Sequence, residues 1–148
     1  MTEKEQTAAA VAAAARLEEI KARLRAALIK KSGSLYRASL DHGRPVCYTQ
    51  RFFYKKTPNL KSFLMLCEWA GVSPRYVLNG GKMKRWQGTD KLSFDGLFKA
   101  YDAGAAFPAS IRVLINALRR GDSAGLNLKT ILIFAELSGA DPADLIGA

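Results

Sequence analysis

Residues 34–56 read SLYRASLDHGRPVCYTQRFFYKK, and the fold turns on how this stretch is punctuated. Ser34 is a helix-capping residue, and Leu35 to Asp41 is long enough for about two turns behind it. Gly43 favours the left-handed conformation that ends a helix. Pro45 suits the start of the next helix, which then carries Cys47, Tyr48, Gln50, Arg51, Lys55 and Lys56. Two short helices joined by a tight turn make a helix-turn-helix pattern. Gln and Arg pair bidentately with adenine and guanine edges, and Lys pairs with phosphates. Only two acids, Asp41 and Glu68, occur between Ile20 and Trp69. The stretch is therefore expected to enter the major groove of double-stranded DNA.

The charge balance points the same way. Residues 1–80 carry 14 Lys and Arg against 6 Asp and Glu, whereas residues 81–148 carry 9 against 7. A basic first half implies a polyanionic partner. DNA is favoured over a membrane surface, because no strongly apolar face accompanies the charge. Cys47 and Cys67 form no CxxC or metal-type cluster, and His42 is the sole histidine, so no metal site or cofactor is expected. Reduced thiols fit a cytoplasmic protein. No apolar run approaches the length that spans a bilayer. Glu3 and Glu5 stand where a secretory signal needs positive charge.

Upstream, Met1 to Thr7 is polar and expected to be disordered. Ala8 to Ala15 is nearly all alanine and leads into an amphipathic helix with Leu17, Ile20, Leu24 and Leu28 on one stripe and Lys21, Arg23 and Arg25 off it. Because alanine buries little area, residues 1–16 are expected to form a tail with a frayed leading turn. Gly33 closes the helix. Downstream, Thr57-Pro58 stops the second helix of the pair. Asn59 caps a fourth helix, Leu60 to Ala70, with Leu60, Phe63, Leu64 and Cys67 on one face. Ser73-Pro74 opens a fifth, which Asn79-Gly80-Gly81 breaks.

Residues 59–80, NLKSFLMLCEWAGVSPRYVLNG, carry a resemblance. A Leu-rich helix, an Ala-Gly-Val-Ser turn and a short helix ending in Leu and Gly are similar to the closing pattern of the lambda-repressor-like (Cro/CI, XRE-type) DNA-binding domains. Ala38, Ser39, Gly43 and Phe52 fit that family's helix-turn-helix. Thr49 stands where Ile or Val is usual, and His42 and Arg44 occupy positions more often apolar. The resemblance covers residues 17–80 and implies a five-helix domain. It also implies that Val46, Cys47, Tyr48, Gln50 and Arg51 face base edges. Ser34 with the first amides of its helix, Arg44, Lys55 and Lys56 would hold phosphates. A symmetric homodimer on half-sites about one helical turn apart is the binding mode it suggests.

Residues 81–91, GKMKRWQGTDK, read as a linker with Trp86 as its one large anchor. Beyond it the chain repeats. Residues 127–148, NLKTILIFAELSGADPADLIGA, align with residues 59–80 without a gap, and seven of the 22 positions are identical. LFKAYDAG (97–104) echoes LYRASLDHG (35–43), and Pro108 to Arg120 takes the place of the reading helix. Such repetition points to two related modules. The expected architecture is all-α with two tandem small helical modules, residues 17–80 and 92–148. The second is degenerate: it lacks a full first helix, has a longer loop at Gly121, Ser123 and Gly125, and is much less basic. Ile111, Val113, Leu114, Ile115 and Leu118 suggest an apolar strip left over for a partner.

No catalytic residues are expected. The chain has no phosphate-binding glycine loop, no His paired with a nucleophile and no carboxylate pair at useful spacing. The leading expectation is a sequence-specific transcription regulator. The alternatives are a protein-interaction factor that contacts another regulator or RNA polymerase through residues 92–148, and a nucleic-acid binder acting through charge alone.

Overall fold

A computed structural model of the chain describes residues 2–88, 92–103, 107–123 and 126–148. The expected roles of Gly104 and Gly125, and the last three linker positions, lie outside them. The described residues form nine helices: α1 (Glu3–Ser32), α2 (Leu35–Asp41), α3 (Tyr48–Tyr54), α4 (Leu60–Ala70), α5 (Pro74–Asn79), α6 (Asp95–Asp102), α7 (Ala109–Arg119), α8 (Leu128–Ser138) and α9 (Pro142–Leu145). Among them there is no β-strand, only two isolated antiparallel bridges, Asn59 with Asn127 and Val72 with Arg85. No helix among the described residues is long and apolar enough to cross a membrane.

The helix ends follow local chemistry. Asn59 accepts hydrogen bonds from the amides of Lys61 and Ser62 at the start of α4, and Gly71 ends that helix in the left-handed region at φ 71°. Asn127 and Asp141 cap α8 and α9 in the same way. The long α1 is capped by Thr2, whose side chain accepts from the Glu5 amide, and Glu3 and Glu5 in its first turn and Lys30 and Lys31 in its last match the helix dipole.

Two expectations about the N-terminus are corrected here. The polar start is helical from Glu3, and the alanine run is neither frayed nor separate from the helix that follows. Ala9 and Ala13 are buried in line with Leu17, Ile20, Leu24 and Leu28. The reason is a partner far along the chain: α1 packs against α8 as well as against α2, α4 and α5. Small side chains bury little area but allow a close approach, and the contact with α8 orders the run.

The remaining packing follows from α1. Buried side chains of both halves, from Ala13 to Ile146, form one apolar cluster, with Phe63 and Phe134 among its largest members. In α4 the inward face is Leu60, Phe63, Leu66, Cys67 and Ala70, while Leu64 is half-buried. Residues 81–88 are not a free linker. The amide of Ser73 donates to the Lys84 carbonyl at 2.8 Å and that of Trp86 to Gly71 at 2.9 Å, and the Trp86 ring packs against the core. The expected apolar strip on α7 is largely absent. Ile111, Ile115 and Leu118 are buried, Leu114 is half-buried, and Val113 alone of the five is exposed.

Candidate nucleic-acid interface

The pair α2–α3 is held by polar groups inside the fold. Ser39 and Thr49 are both fully buried. Their hydroxyl oxygens lie 2.9 Å apart, the Thr49 hydroxyl donates to the Leu35 carbonyl at 2.7 Å, and the Thr49 amide donates to Ser39 Oγ at 3.0 Å. This explains how a polar residue is accommodated at a fully buried position. The Ser39 hydroxyl across the turn is its partner, and a satisfied buried network fixes the crossing of the two helices.

The turn comprises His42 to Cys47. Gly43 has φ 68°, and the Arg44 amide returns to the Ser39 carbonyl at 2.9 Å. Helix α3 begins at Tyr48, not at Pro45, because the Tyr48 amide bonds the Pro45 carbonyl in a tight turn at 2.9 Å and the first α-type bond runs from Arg51 to Cys47. Val46 and Cys47 thus precede the helix, the first exposed and the second half-buried.

An aromatic stack braces this turn against α4. The His42 ring lies flat on Trp69 at 4.2 Å between centroids, Tyr48 leans on Trp69 at 5.8 Å, and the Arg44 guanidinium sits over Tyr48 at 5.0 Å. His42 Nδ1 is also within 2.8 Å of the Ala38 carbonyl. Nothing in the sequence singles out His42 and Trp69 as a stacked pair. Their pairing brings together residues 27 positions apart, and no periodicity announces it.

Within α3, Thr49 and Phe52 face inward and Phe53 is half-buried against the core. The other side carries Gln50, half-buried, with Arg51 and Tyr54 exposed; Tyr54 is 85% accessible, the most exposed large apolar or aromatic side chain among the described residues. Tyr48, Arg51, Lys55, Asn59 and Ser62 line a cleft of about 210 Å³. Lys55 and Lys56 are exposed beyond the end of α3. Ser34 caps α2 by accepting from the Arg37 amide at 3.0 Å. Arg37 in turn pairs with Asp41 at 3.2 Å, which neutralises the one acid near the turn.

One positioning residue was misread from the sequence. Lys21 was assigned to the solvent side of α1, yet it is 7% exposed and its Nζ donates to the Lys55 carbonyl at 2.7 Å. A long apolar stem let it follow the core stripe and carry a cation to the open end of α3, where a helix dipole favours positive charge. Compared with family models, curated proteins and solved structures, the chain matches none of them.

Proposed function

We propose that the chain binds double-stranded DNA in a sequence-dependent way and acts as a transcription regulator of lambda-repressor-like type, with α2–turn–α3 as its helix-turn-helix. The observation that carries this reading is the division of α3. One side is locked to α2 through Thr49 and Ser39, and the other offers Gln50, Arg51 and Tyr54, flanked by the cations Arg44, Lys55 and Lys56. Gln50 and Arg51 are the base readers. Val46 meets the groove from the turn, where it can cover a thymine methyl, and Cys47 and Tyr48 position the start of the helix. Lys55, Lys56 and Arg44 supply phosphate contacts, which set register and affinity but not sequence. Binding-site selection with purified protein, followed by affinity measurement for Arg51→Ala and Gln50→Ala, tests the reading. Each substitution is expected to relax preference at one base position by about 1–3 kcal/mol. Equal losses on selected and random duplexes would sink it.

A further inference from the structure

The two halves of the chain meet through equivalent positions. Asn59 and Asn127, in register in the repeat, form an antiparallel bridge, and the Leu128 amide donates to the Pro58 carbonyl at 2.9 Å. Helix α5 packs against its counterpart α9. Around that contact, Asn79 donates to Asp141 at 3.0 Å and Arg75 to Asp144 at 2.7 Å. Self-complementary contact between equivalent positions is the signature of a twofold axis.

Helix α1 reaches from one half to the other across this contact. Its first part, Glu5 to Ala12, lies beside Glu136 and Leu137 at the end of α8. Its last part, Ala26 to Lys31, lies beside Ala70, Gly71 and Val72 at the end of α4. Between them, Arg16 donates to Asn79 at 3.0 Å, at the α5–α9 contact. A straight helix that crosses a twofold axis at right angles is turned end for end onto itself. One α1 thus packs on both α4 and α8, although its contacts with α2 and α5 have no comparable counterpart on α6 and α9.

By the repeat, α7 takes the place in the second half that α3 takes in the first. Arg112 and Asn116 on α7 and Arg120 at its C-cap are all exposed and spaced four apart. No acidic residue occurs between Ala103 and Gly121. The neighbouring Arg119 is bound to Asp102, whose hydrogen bond raises the guanidinium above its ordinary pKa, and it lies over the rings of Phe98 and Tyr101. We infer that one chain is an internal pseudo-dimer in which Arg112 and Asn116 of α7, with Arg120 at its C-cap, grip backbone phosphates of a second segment of the duplex that α3 reads. This deepens the proposed function and rests on it. Arg and Asn serve phosphates, and the duplex backbone has twofold axes of its own for a pseudo-dimer to match.

The test uses the full chain with Arg112→Ala/Arg120→Ala, beside Arg51→Ala, on a duplex of about three helical turns carrying the selected site. Fluorescence anisotropy across a salt series gives the slope, hydroxyl-radical footprinting gives the extent, and sedimentation gives the chains per duplex. Both arginines are exposed, and circular dichroism checks that the fold is kept. The expected result is one chain per duplex, a salt slope smaller by about two units in the double variant, protection lost on one side only, and unchanged base preference. An unchanged slope and footprint, with base preference still lost in Arg51→Ala, overturns the α7 inference and leaves the α3 reading intact. Two chains per duplex also overturn it. If Arg51→Ala changes no preference, the α3 reading falls, while the slope on any duplex still decides whether α7 meets phosphate. Absence of all DNA binding, with the α7 variant impaired only in capture of a protein partner, overturns both.

Discussion

The two halves tie their second and third helices together by different means. In residues 34–80 the joint is polar inside and aromatic outside: Ser39 and Thr49 bond within the core, and His42, Trp69, Tyr48 and Arg44 stack at the turn. In residues 92–148 the aromatic stack is inside, with Phe107 between Tyr101 at 5.5 Å and Phe134 at 4.6 Å. Hydrogen bonds fix direction and distance, whereas apolar stacking fixes mainly burial. The first half is therefore built to hold an outer face at a set angle. The second completes its core with rings and keeps its directional tie between α6 and α7 at the surface, where Arg119 bonds Asp102.

The comparison breaks most readily inside α1, where one helix serves both halves. Leu24→Ala should destabilise the chain by about 2–5 kcal/mol, because it opens a cavity among fully buried neighbours. Ala13→Gly removes one buried methyl and raises the entropy of the unfolded backbone, for a cost of about 1–2 kcal/mol. Urea denaturation measures both. If Ala13→Gly is neutral, the alanine run is not packed on α8 in solution and the shared-helix picture fails. A second break lies between α6 and α9. A Cβ on Gly96 would stand 2.3 Å from the Asp144 carbonyl oxygen, so Gly96→Ala must push two backbones apart. A loss of about 1–3 kcal/mol is expected, read as a lower thermal midpoint.

The polar joint of the first half makes a sharper prediction, because its two hydroxyls are not equivalent. Ser39→Ala strips the acceptor from the buried Thr49 amide and should cost about 1–3 kcal/mol. Thr49→Val removes a hydroxyl but leaves Ser39 bonded to the Leu35 carbonyl and to that amide, for a cost of about 1 kcal/mol. Chemical denaturation of the two variants should rank them in that order. The reverse order would mean that Thr49, and not Ser39, is the centre of the joint.

What could be read from the sequence was what near neighbours decide. Asn59, Gly71 and Pro74 set the ends of α4 and α5 where the caps and breakers predict, and the all-α class follows from helical spacing. What was misread depends on distant partners. The alanine run has high helix propensity but too little area to announce its burial, and α8 lies more than a hundred residues away. Lys21 looked like surface because charge hides the reach of its stem. The start of α3 was misplaced because Pro45 suits both a helix and a tight turn, and the Pro45–Tyr48 bond selects the turn. On α7, five aliphatic residues looked like too many for one core, yet Phe107, Phe134 and Leu126 leave room for all but Val113 to be at least half-covered.

The smallest expected effect concerns Arg44, whose position at the turn combines the two ways of holding the joint. Its guanidinium lies over the Tyr48 ring, a contact worth about 0.5–1 kcal/mol at an exposed site. It also carries one of the charges assigned to phosphate. Arg44→Ala removes both, so stability should fall by less than about 1 kcal/mol and the salt slope of DNA binding by about one unit. Arg44→Lys separates them. A compact ammonium keeps the charge but loses the flat stacking surface, so the slope should return to its wild-type value while the small stability loss remains. Thermal melts and the same anisotropy series measure the two effects independently. If Arg44→Lys restores stability but not slope, the cation is a brace for Tyr48 and the phosphate role belongs to Lys55 and Lys56 alone. If neither variant moves the slope, the duplex does not approach the turn, and α3 must enter the groove from its Tyr54 end.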